Sequence, residues 1–139
     1  MTTVLVVLLL VLVLALWAYA DSTKRSNRLE RAFAGRSPLT DEEFFENYFA
    51  AADVDREVPA KVRKILSEEL DADLSRIAPD DDFTRNLQFL LAFDSLSDVA
   101  IVESLERVFS IKIADEEAAA MHTVNDIVLS VSSKLRAAQ

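Results

Sequence analysis

The sequence predicts an all-α protein. A small bundle of three main helices and one short one, with a long first loop, follows an apolar amino-terminal helix and an extra aromatic helix. Three observations predict it. Among 139 residues there is one glycine, Gly35, so few backbone positions take positive φ easily and tight hairpins are disfavoured. Apolar residues beyond position 57 recur at helical spacing in separate runs. Start signals stand before two of the helices: Thr40 with Glu43, and Thr123 with Asp126. The same composition excludes function classes. No cysteine means no disulfide, thiolate metal site or cysteine nucleophile. A lone glycine excludes glycine-rich phosphate loops. With one histidine, His122, no catalytic constellation and no metal site are expected.

Residues 1–20 carry no charged side chain. As a helix they span about 30 Å, the thickness of a bilayer core. Trp17 and Tyr19 sit where an aromatic belt would lie, and basic residues follow at once, which places the carboxyl-terminal side in the cytoplasm. Ala18-Tyr19-Ala20 has the form of a signal-peptide cleavage site. The apolar run is longer than a signal peptide's and lacks a basic flank before it. A retained single-pass transmembrane anchor at the cytoplasmic membrane, with the remainder cytoplasmic, is the expectation.

Residues 21–39 form a basic juxtamembrane linker. Lys24, Arg25, Arg28, Arg31 and Arg36 stand against Asp21 and Glu30, a net of +3 up to residue 36. This stretch either continues the membrane helix as a stalk or rests on anionic headgroups, or it is a solvated linker whose charge sets topology and nothing else. Residues 40–56 form an accessory amphipathic helix. Thr40 and Glu43 make a capping box, and Phe44, Phe45, Tyr48 and Phe49 gather on one side. So dense an aromatic face is expected to pack on the domain that follows.

Residues 57–137 form that domain. Pro59 sits in a first helical turn, and Val62, Ile65, Leu66 and Leu70 make a stripe. The long connection contains Ile77, Phe83 and Leu87, which a solvated loop would not need and which are expected in the core. A second helix starts near Ser95, with Leu96, Val99, Val102, Leu105 and Phe109 at helical spacing and Ile101 and Val108 widening the face. "SIKI" follows as a short extended piece, Asp115 opens a short turn, and Thr123 caps a last helix with Val124, Ile127, Val128, Val131 and Leu135 inward.

From Asp94 the chain reads "DSLSDVAIVESLERVF", then Ile113, "DEEA" at 115–118 and Thr123-Val124. This resembles the acyl carrier proteins, whose pattern is Asp-Ser-Leu, an apolar helix ending Leu-Glu-x-x-Phe, an Ile, an Asp-Glu-Glu-Ala turn and Thr-Val. The resemblance covers roughly residues 57–136 and includes Ile77, Phe83 and Leu87 as loop anchors. It implies a phosphopantetheine arm esterified to Ser95, with Asp94 and Leu96 beside it. It also implies recognition through the acids Asp98, Glu103 and Glu106. The partners would be a phosphopantetheinyl transferase, which brings the base and the metal, and enzymes that transfer or modify acyl groups, as in fatty acid or lipid biosynthesis. A helix amino terminus suits a phosphodiester, because its first N–H groups are unpaired. The arm supplies the reactive thiol, so a chain without cysteine or catalytic residues is consistent with a carrier that is not itself an enzyme.

Read without the resemblance, Ser95 is a helix cap with Asp98 completing the box, and His122 is a solvated loop residue. The chain departs from the family in three ways. Leu87-Gln-Phe-Leu-Leu-Ala-Phe93 replaces a shorter, glycine-containing approach to the serine, and its apolar residues need burial. Ser97, Ala100 and Arg107 stand where acids are common. The membrane anchor is extra. Residues 37–139 hold ten basic and 22 acidic side chains, which disfavours nucleic acid and suits partners with basic faces. Two functions are weighed: a membrane-tethered acyl carrier, and an unmodified carrier fold acting as a membrane-anchored interaction adaptor.

Overall fold

A computed structural model describes residues 1–91 and 95–139, with side chains described except at 95–98. The chain divides into two compact units, Met1–Ala34 and Gly35–Gln139. The first is a single helix, α1 (Thr2–Ala32), of 31 residues. It is long and apolar enough to cross a membrane, and its apolar stretch is wholly exposed. It does not stop where the apolar residues do. At the boundary Thr23 donates its hydroxyl to the Tyr19 carbonyl at 2.9 Å, a local bond that an α-helix accommodates.

The second unit begins with α2 (Asp41–Tyr48), α3 (Glu57–Leu70), a 3₁₀ turn (Gln88–Leu90) and α4 (Ser95–Phe109). It ends with α5 (Asp115–Ala119) and α6 (Val124–Ala137). The all-α expectation holds among the described residues, whose one extended pairing is an isolated bridge between Asp82 and Thr123. Helices α3, α4 and α6 pack on one another. Leu66, Leu70, Leu105, Val124, Val128 and Val131 are almost fully removed from solvent at their meeting. Ile77, Phe83 and Leu87 from the long loop are buried with them, as expected.

Both capping boxes form. Thr40 Oγ1 accepts the Glu43 amide at 3.2 Å while Glu43 accepts the Thr40 amide at 2.9 Å. Thr123 and Asp126 make the same exchange at 3.0 Å each way. Helix α2 packs on α3, burying Phe44, Phe45 and Phe49. The Phe44 ring meets Phe49 and Tyr48 edge-on at 5.6 and 5.7 Å. Arg63 fastens the pair: its guanidinium lies 4.6 Å over Phe44 and pairs with Asp41 at 2.7 Å.

Three inward expectations need correction. Tyr48 is 44% exposed, Val99 54% and Val108 45%. On α4 the buried face is drawn by Ile101, Leu105 and Phe109, four apart, and Val99 lies well round the helix from it. Val108 borders an open groove with Val58, Phe109 and Leu135 rather than facing another helix. Two non-glycine residues, Asp71 (φ 47°) and Ser110 (φ 53°), take the left-handed conformation just past the ends of α3 and α4.

Candidate functional site

The site begins in the loop between α3 and α4, which is tied down by its own polar groups. Asp81 is 3% exposed, yet its carboxylate is fully used. It accepts Arg36 Nη1 and Nη2 at 2.6 and 3.0 Å, the Ala78 amide at 2.8 Å and Asn86 Nδ2 at 2.9 Å. Burial pushes this carboxyl upward, but the Arg36 and Asn86 side chains and the Ala78 amide outweigh it and hold it below the usual carboxylate range. Next door, Asp82 accepts the Thr84 hydroxyl and amide at 2.6 and 2.7 Å, which also lowers it. The loop is sewn to the start of α6: Phe83 N–H donates to the His122 carbonyl at 2.8 Å, and Asn125 N–H to that of Pro79 at 3.0 Å.

This loop roofs an apolar cavity of about 340 Å³. Among the described residues Leu66 of α3, Ile101, Val102 and Leu105 of α4, and Ile127 of α6 line it. Phe83, Thr84 and Leu91 line it from the loop, and Ala118, Ala119, Met121 and His122 from the far side. The space exists partly because Ala118 and Ala119 carry only methyl groups where α5 meets it. His122 stands exposed at the rim. Its Nε2 lies 2.9 Å from the Ala119 carbonyl, so that nitrogen carries the proton and donates.

Helix α4 runs Ser95–Phe109, so Ser95 is its first residue and lies between the cavity-lining Leu91 and Ile101. The side chains of Ser95, Leu96 and Asp98 and the whole of Asp94 lie outside the described residues, as does Phe93. Of the apolar approach, Leu90 is buried, Phe89 half-buried, and Leu91 lines the cavity. Glu103 is exposed on α4. Glu106 is not free in the same way: it is half-buried, accepts the Ile113 amide at 3.4 Å and pairs with Lys112 at 3.8 Å. Ser104 and Arg107 join a small network with Glu69.

The cavity and the Arg36–Asp81 pair were not read from the sequence. The small residues of "EEAAAM" beside two long apolar helices are the one signal that points to the cavity. No group of carboxylates and histidine among the described residues forms a metal site.

A helical bundle with an apolar cavity between α3, α4 and α6 is an arrangement suited to a carrier of hydrocarbon cargo. Comparison with known proteins agrees. Residues 60–131 match the family described as "Phosphopantetheine attachment site". The acyl carrier protein of Thermosynechococcus vestitus (strain NIES-2133 / IAM M-273 / BP-1) is 32% identical over 81 residues, which is 58% of this chain and 95% of that protein. The chain belongs to the phosphopantetheine-binding carriers of the acyl carrier protein type. Its cofactor is a covalently attached phosphopantetheine. Carriers of this family are in general not enzymes and work with a phosphopantetheinyl transferase and acyl-handling enzymes. The residues present fit such a group: Ser95 is the first residue of a 15-residue helix, whose positive amino-terminal end favours a phosphodiester, and the apolar cavity suits hydrocarbon.

Proposed function

We propose that this protein is a membrane-tethered acyl carrier, with the phosphopantetheine arm on Ser95 and the carrier domain at the cytoplasmic membrane face. The observation that carries the reading is the apolar cavity of about 340 Å³ flanking the helix that Ser95 opens. Ligand pockets of about 300–1,000 Å³ hold small organic groups. The arm supplies the thiol that carries the acyl group.

The chain's own residues have four tasks. Ser95, the first residue of α4, bears the arm, and its chain neighbours Asp94 and Leu96 complete the attachment motif. First-turn amides of α4 face the phosphate charge. Leu66, Phe83, Ile101 and Leu105 receive the apolar part of the cargo and keep water from it. Glu103, with Asp98 and Glu106, presents acid to basic patches on partner enzymes. Helix α1 confines all this to a layer at the bilayer, raising the encounter rate with membrane-bound partners without new contacts. The domain boundaries that go with this reading are an anchor at 1–20, a basic linker at 21–39, an accessory segment at 40–56 whose helical part is α2 (Asp41–Tyr48), and the carrier at 57–137.

The test is intact mass. Co-expression of the full chain with a phosphopantetheinyl transferase should add one phosphopantetheine, and Ser95→Ala should abolish the gain. If several transferases add nothing to the parent chain, the carrier reading gives way to an unmodified adaptor. For the anchor, the amino-terminal sequence of the mature protein is decisive, since a chain starting at Asp21 would sink it.

A further inference from the structure

We propose that Lys24, Arg28 and Arg31, an exposed basic stripe on the continuation of α1, bind anionic phospholipid headgroups of the leaflet from which that helix emerges. The inference rests on the transmembrane reading of α1 above. The helix is unbroken over Thr2–Ala32 and contains no proline or glycine, so the basic residues belong to the same rod as the apolar ones. Residues 21–32 add about 18 Å beyond the apolar run. Lys24, Arg28 and Arg31 follow one another at i, i+4 and i+7, within about 60° of arc. All three are exposed. Arg25 flanks the stripe, Glu30 lies on the opposite side of the helix, and Asp21 stands one turn below Lys24.

Depth ranks their contributions. The headgroup layer is about 5–7 Å thick on each side of the hydrocarbon. Lys24 rises about 6 Å past Ala20 and lies within it. Arg28, about 12 Å out, reaches back by laying its long stem along the helix. Arg31, about 16 Å out, feels only the tail of the surface potential, which decays over about 8 Å at physiological salt. A negative surface held against the emerging helix by the anchor itself is the partner whose charge and position match. A soluble acidic protein would have no reason to meet the stripe in this order of depth.

The probe is Trp17, the single tryptophan, which is 71% exposed near the end of the apolar run. The full-length protein is reconstituted in phosphatidylcholine vesicles in which a fraction of lipid carries brominated acyl chains, as phosphatidylglycerol or as phosphatidylcholine. Contact quenching of Trp17 then reports which lipid occupies the surrounding shell. Brominated phosphatidylglycerol is expected to be preferred by about fivefold for one fully engaged basic residue. The preference should vanish in 1 M salt and in the Lys24→Gln/Arg28→Gln/Arg31→Gln variant. Among single variants Lys24→Gln should lose most and Arg31→Gln least. Equal quenching by the two lipids, or a preference that survives the triple variant, overturns the proposal while leaving the anchor intact. Absence of quenching by either lipid overturns the anchor and the proposal together.

Discussion

Arg36 and Asp81 meet in a two-pronged pair, with Nη1 to Oδ2 at 2.6 Å and Nη2 to Oδ1 at 3.0 Å. The aspartate is 3% exposed and the arginine 34%. Arg36 also reaches the Arg76 carbonyl at 3.4 Å. The segment that leads into the carrier domain is thereby fixed to the loop that roofs its cavity. Removing the arginine strands a buried carboxylate, which is the costly way to break such a pair. Arg36→Ala should destabilise the Gly35–Gln139 unit by about 3 kcal/mol. Asp81→Asn, which keeps an acceptor, should cost about 1–2 kcal/mol. The double variant should cost less than the sum. Urea unfolding followed by circular dichroism in mild detergent measures all three, and additive losses would show that the residues do not act as a pair.

Acid should expose the same pair. Burial raises the Asp81 carboxyl, but its Arg36, Ala78 and Asn86 partners hold it below 3.8. At Asp126 burial likewise acts upward, and the amides of Thr123 and His122 with the Thr123 hydroxyl prevail downward. A carboxyl whose folded pKa is depressed stabilises the fold above its unfolded pKa, and that contribution is lost as pH falls through the folded value. The stability gap between the parent chain and Asp81→Asn should therefore be constant from pH 7 to 5 and shrink below 3.8. A gap that widens on acidification would contradict the assignment.

Asp71, at φ 47°, ends α3 in a conformation that side chains with a Cβ adopt at a cost. Asp71→Gly should raise stability by up to about 1 kcal/mol, provided the gain in backbone freedom of the unfolded chain does not consume it. Ser110→Gly, at φ 53°, tests the same point after α4. Thermal melts of the two variants settle it, and a clear loss in both would show that their side chains matter more than their φ.

Arg63 is buried yet charged, held by Asp41 at 2.7 Å, the Ser75 carbonyl at 3.3 Å and the face of Phe44. Arg63→Met keeps most of the apolar contact and removes the charge, leaving Asp41 exposed and harmless. A loss of about 1–2 kcal/mol is expected from the cation–π contact and hydrogen bonds together. Faster amide exchange in α2 than in α6 would locate the damage, whereas uniform acceleration would argue against a local clamp.

Ala118→Leu should fill part of the cavity from α5 while leaving every side chain of α3, α4 and α6 in place. An acylated chain bearing it should lose its thioester to hydroxylamine several-fold faster than the parent, because the cargo is displaced into water. Equal rates would mean that the cavity does not shelter cargo.

Much of this architecture was legible because helices announce themselves locally. The i, i+3, i+4 stripes of α3 and α6, and the Thr–Glu and Thr–Asp boxes that open α2 and α6, involve residues within a few positions of one another. Ile77, Phe83 and Leu87 were legible for a related reason: apolar side chains in an aspartate-rich loop need a core. The Arg36–Asp81 pair was not, since its partners are 45 residues apart and nothing in "PDDD" says which acid turns inward. The contact of Glu106 with the Ile113 amide was not legible, because helical periodicity cannot show a following loop folding back onto a helix. Val99 and Val108 read as core for the opposite reason: pattern counts apolar residues and cannot tell which of them a neighbour covers. A cavity is harder still, because it is a failure of side chains to meet, and sequence records only the side chains.

An interior left partly unfilled between α3, α4 and α6 is an interior waiting for packing atoms. Hydrocarbon tethered to the chain and packed there returns to water when the chain unfolds, so its burial should raise the melting temperature. Heat alone would then tell a laden molecule from an empty one, and a rising series of chain lengths would mark, by its plateau, how far the hollow extends.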